Sequence, residues 1–360
     1  MNKTLIVTNI PSSYRVDLFN ALSVESKMDF HFLFIPDKSV SHKDMIWGNK
    51  NNSFFKKTTI LDYNFFKIAS FLKKNKFDSI IVGGIPMYFF LLVVFKIMYN
   101  TRLYCWWAGT NFTERSSFLK KHYRTFFSYF IDGYFFYSKL SYNYFDSFIR
   151  KLKNNYKIIG NNTRFAKIEA DKIKKIEFIK NSTSQFQIIN VGFQEERKNT
   201  IILLKAVQLL QDKGYDINTL VIGDGPELSK LKGYALNNNL INTSFLGNLN
   251  YEAVYKNLLE SDLLIHPSKS DSWPQVFNEA AFCRNAIFVS EKSGVFNSYT
   301  QKYENKVLFE SDNFQELSFK IENLINNKLL LTELKNATFE NAKVNDGEKV
   351  IIDMLNLLSK

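Results

Sequence analysis

Cysteine is nearly absent from this chain: Cys105 and Cys283 are the only two in 360 residues, each inside an apolar stretch. That excludes a disulfide framework and a thiolate metal site. Histidine is scarce as well, with four in the chain and none at metal-ligand spacing. No Asp-x-Asp pair occurs anywhere, so the acidic pair that commonly holds a divalent ion against a pyrophosphate is missing. No resident metal and no cofactor are therefore expected. Long apolar runs are missing too. The longest, residues 87–95, is followed by Lys96 and falls short of the roughly 20 residues a bilayer span needs. It reads as a buried helix packed on a sheet. The amino terminus passes from Met1-Asn2-Lys3 directly into an apolar strand pattern without a leader and cleavage site, so a cytoplasmic protein is expected. There are no short-period repeats and no low-complexity linker.

What is present is enough apolar material, 45% of 360 residues, for two domains with separate cores. Charge is divided unevenly between the halves. Residues 1–180 hold 29 Lys and Arg against 13 Asp and Glu, a balance of +16, whereas residues 181–360 hold 18 against 22, a balance of −4. A lysine-rich composition would raise basic content everywhere, so the asymmetry points the first half at something anionic. Nothing marks nucleic acid as that partner.

Apolar runs alternate with helical patterns along the whole chain. Strands are expected near 4–9, 29–35, 79–83, 103–108, 133–138 and 157–160, with helices near 14–26, 85–98, 116–130 and 139–153. The second half repeats the scheme with strands near 187–191, 218–223, 243–246, 262–266, 286–290 and 306–309. Such alternation argues for parallel sheets with helices on both faces, and therefore for an α/β protein with ligands at the carboxyl ends of the strands. The expected organisation is a first domain over 1–165, a basic and weakly patterned linker over 166–185, a second domain over 186–340, and a terminal helix within 341–360 that packs back on the first domain.

The most informative tract is Asp271-Ser272-Trp273-Pro274-Gln275-Val276-Phe277-Asn278-Glu279. Proline suits a first helical turn, and the apolar residues after it continue a helix. Asp271 then lies in a loop and Glu279 inside the helix, on either side of a helix N-terminus suited to a phosphate. Carboxylates repel phosphate but accept hydrogen bonds from hydroxyls. A ligand with hydroxyl-bearing rings on both sides of a pyrophosphate satisfies both demands, and a nucleotide sugar is such a ligand.

At this point the chain resembles glycosyltransferase family 4, which carries Glu-x7-Glu here, followed by a small-residue helix and a strand, as in Glu279-Ala280-Ala281-Phe282-Cys283 and Ala286-Ile287-Phe288-Val289-Ser290. Asn190-Val191-Gly192, Lys198 and Leu203-Leu204-Lys205-Ala206 resemble its opening strand, diphosphate lysine and first helix. Val221-Ile222-Gly223-Asp224-Gly225-Pro226, Ser244-Phe245-Leu246-Gly247 and His266-Pro267-Ser268 follow at similar intervals, so the likeness is strongest over residues 186–330. Three features differ: Asp271 stands for the first Glu, Phe193 for the arginine that usually follows the Val-Gly pair, and Asn161-Asn162-Thr163-Arg164 for the Asn-Gly-x-Asp common near the domain junction.

The resemblance implies a GT-B fold, two Rossmann-like parallel-sheet domains facing a cleft. It also implies metal-independent, retaining transfer of a sugar from a nucleoside diphosphate to a saccharide acceptor. The acceptor would be lipid-linked, at the cytoplasmic face of the cell membrane, in assembly of a capsule, lipopolysaccharide or similar surface polysaccharide. The basic half would then lie as a peripheral layer on anionic lipid. Asp271, Lys198 and Glu279 become the catalytic candidates: Glu279 on the ribose, Asp271 on the transferred sugar, Lys198 on the diphosphate. Gly192, Gly225, Ser272, Gln275 and Val276 complete the donor site, and Arg15, Thr110 and Glu114 are the acceptor-side candidates. Lys198 at a helix start is itself informative, because a cation there is unfavourable unless an anion is bound. His266 reads as a residue satisfying local hydrogen bonds. Two alternatives share these residues: a nucleotide-sugar epimerase on the same fold, and a non-catalytic partner subunit.

Overall fold

The structure is a computed structural model that describes residues 2–9, 12–36, 57–114, 117–149, 155–161, 164–175, 185–295, 303–344 and 347–359. The chain divides into two compact units, residues 1–165 with 346–360, and residues 166–345. The first unit contains β1 (Lys3–Thr8), α1 (Ser13–Glu25), β2 (Asp29–Phe34), β3 (Thr58–Ile60), α2 (Phe65–Asn75), β4 (Ser79–Gly83), α3 (Phe89–Tyr99), β5 (Arg102–Trp107), α4 (Phe118–Ser128), β6 (Gly133–Phe136), α5 (Lys139–Asp146) and β7 (Tyr156–Ile158). The second begins with α6 (Arg164–Lys175) and β8 (Phe186–Val191). It continues through α7 (Thr200–Asp212), β9 (Ile217–Ile222), α8 (Leu228–Asn237), β10 (Thr243–Gly247), α9 (Tyr251–Glu260) and β11 (Leu263–His266), then α10 (Gln275–Phe282), β12 (Ala286–Ser290), α11 (Glu304–Val307), β13 (Leu308–Phe309), α12 (Phe314–Ile325) and α13 (Lys328–Val344). A last helix, α14 (Gly347–Leu358), belongs to the first unit.

Both sheets are parallel throughout their described pairs. Their orders are β3-β2-β1-β4-β5-β6-β7 and β10-β9-β8-β11-β12-β13. The direction of winding reverses between β1 and β4 in one sheet and between β8 and β11 in the other. Connections leave such a pair toward opposite faces, which opens a crevice beyond the strand ends. Because helices cover both faces, the central strands carry unbroken apolar runs. Leu263, Leu264 and Ile265 of β11 are all fully buried, each contributing about 1.5–3 kcal/mol relative to exposure.

Four sequence expectations change. The segment read as a weakly patterned linker contains α6, whose Ala166 and Ala170 are fully buried in the core of the second unit; positions 176–184 of that segment lie outside the described residues. The short β3 and α2 are additions, and α2 is capped by Asn64, whose side chain accepts from the Phe66 and Lys67 amides. The apolar run after Pro86 is buried on one face only: Phe89, Leu92, Val93 and Phe95 are in the core, whereas Met87, Phe90, Val94, Ile97 and Met98 are exposed. The expected helix over 139–153 ends at Asp146, and its final positions from 150 lie outside the described residues. Met354, Leu357 and Leu358 of α14 pack in a cluster with Phe19, Leu22 and Phe32, and Lys157 pairs with Asp353 at 3.0 Å. Among the described residues, no helix is long and apolar enough to cross a membrane.

Candidate functional site

At the reversal of the second sheet, β8 leads into Gly192 and a single 3-10 turn, Glu196–Lys198, before α7. Beside it, β9 leads into Gly223-Asp224-Gly225. The two connections cross so closely that a Cβ on Gly223 would lie 1.9 Å from the Gly192 carbonyl oxygen, and one on Gly225 would lie 2.3 Å from that of Gln194. The Gln194 Nε2 amide locks the crossing by donating to the Gly192 and Ile222 carbonyls at 2.8 and 3.2 Å. Only glycine permits this approach. Gly223 and Gly225 therefore shape the backbone of the site, and Gly192 supplies the carbonyl at the crossing.

From the end of β11 comes the other half. His266 is followed by a loop to Pro274, and α10 begins at Gln275. The loop is pinned to the segment after β12: Asp271 bridges Ser293, the Gly294 amide donates to the Asp271 carbonyl at 2.7 Å, and a Cβ on Gly294 would meet the Ser272 carbonyl at 1.7 Å. Pro274 precedes α10 and offers no side-chain cap. A helix start so placed retains backbone N–H groups aimed beyond the strand ends. Ser272 and Gln275 are partly exposed there. The Val276 side chain is buried, so this residue presents its backbone rather than its side chain.

The two connections meet through charge. The Lys198 ammonium donates to Asp271 Oδ2 at 2.6 Å, and the Arg197 guanidinium lies 3.7 Å from the same oxygen. Asp271 Oδ1 accepts from the Trp273 amide at 3.2 Å, a local turn bond. The anion that stabilises a lysine before α7 is thus Asp271 itself. Arg197 also donates to the Ser270 carbonyl at 2.6 Å and to Glu195 at 2.5 Å. Burial disfavours ionisation of Asp271, but His266 and Lys198 beside it outweigh burial and hold its carboxyl well below the usual carboxylate range. Burial lowers the pKa of His266, whose Nε2 lies 3.3 Å from Asp271 Oδ2.

Glu279 differs from its neighbour in sequence. It lies in the second turn of α10, is 6% exposed, and its side chain has no hydrogen bond or ion pair among the described residues. Burial alone pushes its carboxyl up to about 7. The structure joins Asp271 to Lys198, but it does not join Glu279 to either. The Tyr255 hydroxyl on α9 is buried without a hydrogen bond, and burial, followed by the Glu279 charge, raises its pKa. Among the described residues no three His, Cys, Asp or Glu side chains converge as metal ligands.

The reversal of the first sheet holds a cavity of about 870 Å³, lined from the ends of β1, β4 and β5 by residues that include Thr8, Gly84, Trp106 and Gly109. Arg15 and Glu114 line it; Arg15 donates to Asn9 Oδ1 at 2.7 Å, and Glu114 accepts from Arg124 at 2.8 Å. Thr110 does not. It is fully buried, and its hydroxyl accepts from the Phe112 and Thr113 amides, so it shapes the 110–114 turn rather than meeting a ligand. Sequence reasoning did not single out Arg124, Gln194 or the contact of His266 with Asp271. The last two sit beside motifs it had found, whereas Arg124 is one cation in a basic, aromatic helix and carries no local signal.

Two parallel sheets of this order, each with its polar groups at the reversal, define a doubly wound α/β architecture. It is the GT-B fold. A crystal structure of Anabaena HepE in complex with UDP is similar over 99% of this chain and 99% of that one, with a TM-score of 0.78 at 14% identity. The apo lipopolysaccharide outer core galactosyltransferase WaaB is similar over 99% of each chain, with a TM-score of 0.73 at 10% identity. Residues 171–344, nearly all of the second unit, match the sequence model of the family described as glycosyl transferases group 1. An uncharacterised glycosyltransferase of Methanocaldococcus jannaschii is 29% identical over 153 residues, 42% of this chain and 41% of that protein. The match thus spans less than half the length of that relative.

Proposed function

We propose that this protein is a retaining glycosyltransferase that moves a sugar from a nucleoside diphosphate to a saccharide acceptor without a metal ion. The observation that carries the reading is the Lys198–Asp271 pair at the second reversal, beside an uncapped helix start. The diphosphate of the donor lies between Lys198, Arg197 and the amides of Gln275 and Val276, and Glu279 accepts from the ribose hydroxyls. Glu279 is suited to this because its carboxylate has no partner among the described residues. In the reaction the bond from the anomeric carbon to the diphosphate oxygen breaks and a bond to the acceptor oxygen forms. The acceptor proton passes to the leaving phosphate, so no separate general base is required. Lys198, Arg197 and the helix start stabilise the charge that grows on the diphosphate, where preorganised groups contribute most to rate. HepE with its bound UDP, and WaaB as a galactosyltransferase, support a nucleotide-sugar donor and a place in surface-polysaccharide assembly.

The acceptor is carried on a lipid, and the first unit lies on the inner face of the cell membrane. The exposed stripe of Met87, Phe90, Val94, Ile97 and Met98 supports this, together with the +16 balance of the first half. The test of transfer is nucleotide release. Wild type and Lys198→Ala are incubated with UDP-, GDP- and ADP-sugars and a lipid-linked saccharide pool. Wild type should release one nucleotide, and the variant should be slower by at least about 100-fold. Equal rates would overturn the site.

A further inference from the structure

We propose that the cavity at the first reversal binds a phosphate group carried on an apolar chain, and that Arg124, Trp106 and Lys120 hold that phosphate. This deepens the acceptor half of the proposed function and rests on it only for the phosphate's role as part of an acceptor.

Three cations, Arg15, Lys120 and Arg124, line the cavity against one carboxylate, Glu114. Arg124 is 5% exposed. Glu114 occupies its Nη2 at 2.8 Å, and the Trp107 ring lies under the guanidinium at 4.7 Å. Its Nε and Nη1 are buried and have no acceptor among the described residues. Trp106, 7% exposed and lining the same cavity, buries an indole N–H that also has no acceptor. Buried donors are seldom left unpaired in folded proteins. Here several of them belong to two side chains, Arg124 and Trp106, that line a space large enough for a ligand. The complement is a group rich in acceptors and negative in charge, and phosphate matches a guanidinium fork.

The rim has the opposite character. Met87 is 63% exposed and Leu119 is 78% exposed, and both line the cavity. Met87 continues into the apolar stripe of α3, and Leu119 adjoins Phe118, itself 75% exposed. A ligand held by Arg124 therefore leaves the cavity across apolar surface. An uncharged sugar alone would use neither the buried cation nor this rim.

The test is titration calorimetry on the full chain with farnesyl phosphate, farnesol and inorganic phosphate, and UDP as an independent probe. Farnesyl phosphate should bind, with farnesol and inorganic phosphate each weaker by at least about 10-fold. Arg124→Met should weaken farnesyl phosphate by about 10- to 100-fold and Trp106→Phe by several-fold, and neither should alter UDP binding. Should Arg124→Met fail to fold, Trp106→Phe and Lys120→Ala carry the same expectation. Farnesol binding as tightly as farnesyl phosphate, or folded variants binding like wild type, would overturn the proposal. Displacement of farnesyl phosphate by phosphatidylglycerol vesicles at equal phosphate would also overturn it, in favour of bulk headgroups. Farnesyl phosphate binding by a wild type that ignores UDP would support this site while refuting the proposed transfer.

Discussion

The two reversals share a strand order and differ in how their charges are arranged. At the second, Lys198 is paired with Asp271 and Arg197 with Glu195, and the backbone crossing at Gly192 and Gly223 is tight enough to exclude a methyl group. At the first, the glycine after β4, Gly84, has no atom within 4 Å of an added Cβ, and Arg124 keeps buried donors without acceptors among the described residues. On the proposed reading, the second edge has its cations positioned ahead of its ligand. On the same reading, the first is a receptacle whose buried donors have no acceptor among the described residues. This difference suits a reaction in which one diphosphate is always the leaving group while the other partner is a large substrate entering over an apolar rim.

Glycine substitution should break the comparison most sharply. Gly223→Ala is expected to cost at least about 3 kcal/mol, because φ is positive there and the backbone of the crossing must move. Gly84→Ala, with positive φ but open space, should cost only about 1 kcal/mol. Denaturant titration of both variants checks this, and similar costs would mean that the two edges are equally tight.

Within the second edge the two acids respond oppositely to pH. Glu279 titrates at about 7 in the folded protein, above its usual value of 4.5. Its contribution is full below about pH 4.5 and is lost as pH rises through 7, a change of about 3 kcal/mol at most. Asp271, held low, contributes fully above the usual carboxylate range and loses that contribution only in stronger acid. His266, buried and neutral, lowers stability as pH falls below its usual value of 6.5, so the Glu279 effect must be read as a difference. Glu279→Gln should gain stability relative to wild type between pH 5 and pH 8. A pH-independent difference would show that Glu279 is not a buried, unpaired acid.

The smallest effect concerns the ion pair. Asp271→Asn and Lys198→Met should each cost about 1–2 kcal/mol, and the double variant should cost less than their sum by about 1 kcal/mol. Strict additivity would show that the pair contributes nothing beyond its members.

Much of this was legible in the sequence, because apolar runs buried on both faces announce themselves. The strands at 79–83 and 286–290 fall where the pattern placed them. Helix α6 was missed because its basic composition masks two alanines one turn apart, Ala166 and Ala170, which are buried in the core of the second unit. The loop position of Asp271 and the helical position of Glu279 followed from one proline. That Lys198 and Asp271 touch did not, since 73 residues separate them and the sheet order brings them together. Arg124 was hidden for the same reason: its stack on Trp107 joins α4 to β5, and nothing in either segment alone reveals it.

The account depends on the second reversal holding a nucleoside diphosphate. Calorimetric titration of wild type, Lys198→Ala and Glu279→Ala with UDP and with uridine tests it directly. If uridine is the donor's nucleoside, Lys198→Ala should weaken UDP by about 10- to 100-fold and leave uridine unchanged, whereas Glu279→Ala should weaken both; GDP with guanosine and ADP with adenosine serve identically for the other bases. Binding of all six ligands that is indifferent to both substitutions would contradict it.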